Sequence, residues 1–270
     1  MNWNTGARRW IHFFLTLGIL FVCSFPTFAQ QRPLLTEDPR LIPAGALDVE
    51  TGFTYEKRAV FTLSGLQGNH VALLPTGLHF GLGDRAQFQL TGTVHDYLRS
   101  NGVLYKDFGD ISLSTKMKIV GESSRVPVIA FRPTVTLPNA NQASGLGLNT
   151  TRFFASILMG KTIRKAFVFG NIGSGIMDNP THAGVQDDVL TFGLAASLPV
   201  TTEVNWVGEF SGVKNPRETP APGSETRRQL RTGIQATVVG VRWDAGVFAG
   251  LTHLDPRYGI TFGMTKRFGK

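Results

Sequence analysis

The sequence predicts an all-β protein: a closed antiparallel transmembrane β-barrel of about twelve strands, following an N-terminal signal peptide. Three observations predict it. Apolar and polar residues alternate with period two along most of the chain, as on strands with one apolar face. The links between these stretches alternate between long and short. No apolar run beyond residue 29 approaches the length of a membrane-crossing helix.

Residues 1–29 read as a secretory signal peptide. Arg8 and Arg9 form a basic start, "WIHFFLTLGILFVCSF" an apolar run, and "PTFA" a small-residue end, so cleavage is expected after Ala29. A membrane anchor is the alternative, but the run is short for a full span. Cys23 raises lipidation, but Val22 stands where lipidated exports carry a small residue. Cys23 is the only cysteine, so the mature chain has no disulfide framework and no cysteine-ligated metal. Residues 30–45, "QQRPLLTEDPRLIPAG", carry Pro33, Pro39 and Pro43 and no clean alternation. They form a periplasmic N-terminal segment, either a disordered tail or a partial plug of the barrel mouth. The barrel occupies 46–270.

The strands follow in order at 46–57, 70–82, 85–97, 109–120, 126–137, 151–161, 165–175, 188–199, 202–213, 227–238, 241–251 and 257–268. In the third, Ala86, Phe88, Leu90, Gly92 and Val94 share one face, and Gln87, Gln89, Thr91, Thr93 and His95 the other. In the fourth, "GDISLSTKMKI", Ile111, Leu113, Met117 and Ile119 oppose Asp110, Ser112, Ser114, Lys116 and Lys118. The last two strands alternate through Trp243, Ala245 and Val247 and through Tyr258, Ile260, Phe262 and Met264.

The links decide the fold class. Residues 58–69, "RSNGVLYKDF", "NANQASGLGLN", "MDNPTHAGVQD" and "KNPRETPAPGSET" are long; "GESSR", "IRK", Gly83-Asp84 and Val239-Gly240 are short. A soluble sandwich gives no reason for this alternation, whereas an outer-membrane barrel has short periplasmic turns and long outer loops. Every backbone polar group in lipid must be paired, so the sheet closes. A lysine facing lipid at mid-bilayer costs about 2–4 kcal/mol, which turns Lys116 and Lys118 inward and the apolar face outward.

"RPLLTEDPRLIPAGALDVETGFTYE", "GDISLSTKMKIVGE", "VIAFRPTVTLPNA" and "VGEFSG", in this order, resemble the outer-membrane transporters of the MetA pathway of phenol degradation, the meta-cleavage route. The resemblance implies an outer-membrane barrel that passes a solute; it carries no agreed binding residues. Thr261, Gly263 and Phe268 resemble the closing strand recognised by the barrel-assembly machinery, with Lys266 and the trailing Gly269-Lys270 as departures.

Net charge is +8, and removing Arg8 and Arg9 leaves +6. No basic cluster with interleaved aromatics points to nucleic acid. The register places the basic residues Lys116, Lys118, Arg132, Arg227, Arg231, Arg242 and Arg267 in the lumen. Asp110, Glu203, Glu209 and Asp244 are its acids, with Gln87, Gln89, Asn205, Gln229 and Gln235 beside them. The basic surplus points to a passage biased toward anions; the opposing reading is a salt-bridged plug that holds the barrel shut.

Other chemistry is weaker. "ASILMGKT" fits a loose phosphate-loop pattern but reads as strand, and "GLGLNT" and "GNIGSG" precede no helix. His95, His182 and His253 lack a G-x-S-x-G nucleophile nearby. Asp178, His182, Asp187 and Asp188 form a possible metal group but read as a polar loop. The expectation is a monomeric outer-membrane channel with no cofactor, no metal and no catalytic residue. It would pass a small anionic or polar aromatic solute, with loops 138–150, 176–187 and 213–226 as outer vestibule. A closed structural or adhesive barrel and an outer-membrane enzyme are the alternatives. Expected partners are outer-membrane lipid, the assembly machinery and the solute.

Overall fold

The computed structural model describes residues 32–269; the signal peptide at 1–29 lies outside them. Thirteen strands follow: β1 (Leu47–Phe61), β2 (Leu66–Gly81), β3 (Ala86–Ser100), β4 (Val103–Asp107), β5 (Ile111–Val120), β6 (Val128–Leu137) and β7 (Arg152–Ile163). Then come β8 (Ala166–Asp178), β9 (Gln186–Pro199), β10 (Val204–Lys214), β11 (Arg227–Val238), β12 (Val241–Gly250) and β13 (Tyr258–Phe268). Each pairs antiparallel with its neighbour, and β1 pairs with β13, which closes the ring. β4 pairs only with β3, so twelve of the thirteen strands make the wall.

The faces follow the sequence pattern over the wall except beyond residue 92 of β3, where Asp96 and Leu98 turn inward and His95 outward. Lys116 is fully buried, while its neighbours Met117 and Ile119 are exposed on the outer surface. Leu194, Leu230, Ile234, Val247 and Phe262 are likewise exposed, and form an apolar outer belt. Such a surface is what a bilayer solvates and water does not. Trp206 and Trp243 stand near the turn end of β10 and β12, where barrels carry an aromatic girdle. The wall is that of an outer-membrane barrel.

Two long links of the sequence prove to be hairpins. β1 and β2 run on to Phe61 and Leu66, so the connection expected over 58–69 shrinks to 62–65. "RSNGVLYKDF" becomes the β3–β4 hairpin, turning at Asn101 and Gly102 with φ of 48° and 83°. Two successive positive φ values are what a tight hairpin turn requires. Hairpins satisfy their own backbone, so strand pairing continues past the wall.

The strand expected at 109–120 is β5, which begins at Ile111; the interruption lies in its partner β3. β3 pairs with β5 over Ala86–Thr91 and with β4 over Asp96–Ser100. Between them, Gly109 N–H donates to Thr93 O at 2.9 Å. At the same height β2 carries Leu74 at φ 51°, and Pro75 offers no N–H. The β1–β2 register shifts there, between the Glu50 and Phe53 pairs.

Candidate solute passage and the segment that fills it

Residues 32–46 are not a periplasmic tail: they run inside the barrel. The turn Pro43–Ala46 brings the chain in at the turn end, where Gly45 N–H donates to Gly81 O at 2.9 Å. Three prolines keep the segment from forming helix or ladder, so its backbone groups need side-chain partners. The wall supplies them. Glu209 accepts from Leu35 N–H and Thr36 N–H at 2.8 and 2.7 Å. Gln87 accepts from Ile42 N–H at 3.0 Å. Arg231 donates to Pro33 O at 3.0 Å, and Gln235 to Arg32 O at 2.6 Å.

Charges fasten the segment further. Lys116 Nζ donates to Glu37 Oε1 at 2.8 Å and to Asp38 O at 2.7 Å. Gln89 also donates to Glu37, at 2.9 Å, and Arg132 stands 3.8 Å from its other oxygen. Arg32 Nε faces Asp244 at 3.6 Å. Leu34 packs into a small apolar cluster of Val128, Phe167, Phe169, Ala195 and Val207, and Arg40 lies 3.7 Å over the Phe167 ring.

Glycines make the room. A Cβ on Gly233 or Gly246 would come within 2.9 or 3.1 Å of Pro33, and one on Gly160 within 2.9 Å of Pro39. At Gly52 and Gly263 it would meet the Arg32 guanidinium. The wall is therefore shaped along the path of the segment.

The sequence-derived site residues fall into three groups. Lys116, Arg132, Glu209, Arg231, Arg242 and Asp244 lie in the interior around the segment. Lys118 and Arg267 line a cavity of about 470 Å³ at the turn end, and Arg227 one of about 330 Å³ at the loop end. Glu203 is a correction: it sits exposed in the turn between β9 and β10, because β10 begins only at Val204.

The basic surplus is also corrected. Asp48 pairs with Arg267 at 2.6 Å and Glu50 with Arg242 at 3.1 Å. Glu37, Asp48, Glu50, Glu56 and Asp96 all join the interior acids. The signal for three of them was present: Asp48, Glu50 and Glu56 alternate on β1 in "LDVETGFTYE". Glu37 has no strand register and gave none. The ion pairs so formed are largely removed from water, which makes each costly to break.

The two cavities share no lining residue, and the 32–46 segment lies between them. At the loop end, His70 stands between Glu56 and Asp96, 3.0 Å from each. Only the doubly protonated ring can donate to both. Arg152 pairs with Asp110 at 2.5 Å. Loop 138–150 is tied down by Asp107, which accepts from Asn141 N–H and Ser144 Oγ. Loop 213–226 is tied to Asp187, which accepts from Asn215, Ser224 and Ala221 N–H. Both loops touch the β1–β2 turn, through Ser64 to Gly145 O and through Gly223 N–H to Thr62. They roof the outer cavity; of the expected loop 176–187, residues 176–178 belong to β8 and 186–187 to β9, leaving 179–185 as the connection.

The other motifs are placed plainly. "ASILMGKT" lies within β7 and "GNIGSG" within β8. His95 is a correction: expected on the inner face with Gln87 and Gln89, it is exposed beside the rings of Tyr97 and Phe108, because the alternation of β3 inverts across residues 92–95 and turns Asp96 inward to His70. His182 contacts Thr181, while Asp187 turns toward the 215–224 loop, so the possible metal group is not assembled.

No family model matches the chain, and no curated protein does. Solved structures match in fold. The COG4313 outer membrane channel from Pseudomonas putida F1 is 14% identical over 86% of this chain and 98% of its own, with a TM-score of 0.65. The NanC porin is 7% identical over 83% of this chain and 99% of its own, with a TM-score of 0.54. At these identities the likeness is one of fold.

Proposed function

We propose that this barrel is a passive outer-membrane channel for a small polar or anionic solute, narrowed by its own N-terminal segment. One observation carries the reading. The lumen holds a cavity at each end, and what separates them is a segment outside the wall's hydrogen-bond ladder. A segment held by side chains can shift without opening the sheet. The COG4313 protein and NanC are described as a channel and a porin, and the resemblance to MetA-pathway transporters points the same way. Interior side chains from Lys118 and Arg267 at one end to Arg227 at the other line the route.

The closed-barrel reading has its own support in the density of buried ion pairs around Glu37, Glu50 and Asp244. Planar-bilayer recording separates the two. The channel reading expects discrete openings, with a reversal potential that Lys118→Glu moves toward cations. A barrel that stays silent at high protein load favours the closed form.

A further inference from the structure

In the outer cavity one cation makes no ion pair among the described residues. Its carboxylates are engaged: Asp110 by Arg152, and Glu56 by His70, which also meets Asp96. Arg227, by contrast, donates to two backbone oxygens, Leu254 O at 2.9 Å and Val60 O at 3.1 Å, and pairs with no carboxylate among the described residues. A guanidinium held only by neutral carbonyls keeps its full charge available to an anion entering the cavity. Two positions along β11, on the same face, stands Gln229. Its Oε1 accepts from Arg231 at 3.2 Å, which turns the amide nitrogen into the donor left for the cavity. The same lining includes the apolar groups of Phe61, Leu63, Leu146, Leu148 and Pro256.

We infer that this outer cavity is a binding site for a small organic carboxylate with an apolar body. The carboxylate meets Arg227 and the Gln229 amide, and the body lies against the leucines. Its volume of about 330 Å³ is at the small end of ligand pockets, which sets the size of the occupant. The inference rests on the channel reading for its purpose, since the site would be where solute is captured before the constriction.

The test uses the full-length purified barrel in detergent and isothermal titration with benzoate, its neutral isostere benzamide, and acetate. Benzoate is expected to bind at least about tenfold more tightly than either, as a charged hydrogen bond and apolar burial are both needed. Arg227→Gln is expected to abolish the preference for benzoate over benzamide. Because Arg227 also holds two loop carbonyls, Gln229→Glu provides a second variant that leaves those bonds alone; it should weaken benzoate and spare benzamide. Lys118→Gln, in the opposite cavity, should change neither. Equal binding of benzoate and benzamide, or loss through Lys118→Gln instead of Arg227→Gln, would overturn the site. A barrel silent in bilayers that still binds benzoate would sink the channel reading alone; a conducting barrel indifferent to benzoate would sink the site alone.

Discussion

Lys116 shows what a single residue decides in this lumen. Its ammonium is fully buried and bonded to Glu37 and to Asp38 O. Lys116→Met would leave Glu37 buried with Arg132 3.8 Å away as its nearest remaining cation. Breaking one side of such a pair costs about 3–5 kcal/mol. The segment is therefore expected to undock, read as increased protease cleavage within 32–46 while the barrel itself stays resistant. Gly246→Val approaches the same end by sterics, since even a Cβ there would lie 3.1 Å from Pro33. Undocking in both variants would separate the role of the segment from any one charge; a segment as protected as in the parent would refute the fit between wall and segment.

At the scale of elements, the wall is uneven. Residues 92–95 of β3 lie between its β5 and β4 pairings, beside Leu74 and Pro75 of β2. Amides in this band are expected to exchange with deuterium faster than those of 86–90, by mass spectrometry in detergent; uniform protection along β3 would contradict it. The period-two pattern made twelve wall strands legible, and their facing too except beyond residue 92 of β3, because side-chain alternation is local and an irregularity in the strand inverts it. The hairpin extensions of β1–β2 and β3–β4 were not legible, since pairing beyond the membrane needs no apolar face. Nor was the course of 32–46, which is set by partners on β3, β5, β10 and β11 that no local pattern names. The alternating acids of β1 could have been read as interior and would have removed the apparent basic surplus.

For the whole molecule, lipid outside and a filled lumen inside account for the inverted distribution of polar groups. Leu194, 61% exposed on β9, faces the bilayer. Leu194→Arg is expected to destabilise the folded barrel by about 2–4 kcal/mol if it lies near the midplane, measured by urea unfolding in lipid vesicles. A change near zero would contradict the lipid-facing assignment. The central claim is that the N-terminal segment narrows a passage that otherwise runs between the two cavities. Planar-bilayer conductance of the intact protein beside a variant lacking residues 30–45 tests it most directly. The account predicts small or brief openings in the intact protein and larger, steadier conductance in the variant. A variant that inserts but conducts no more than the parent would contradict it.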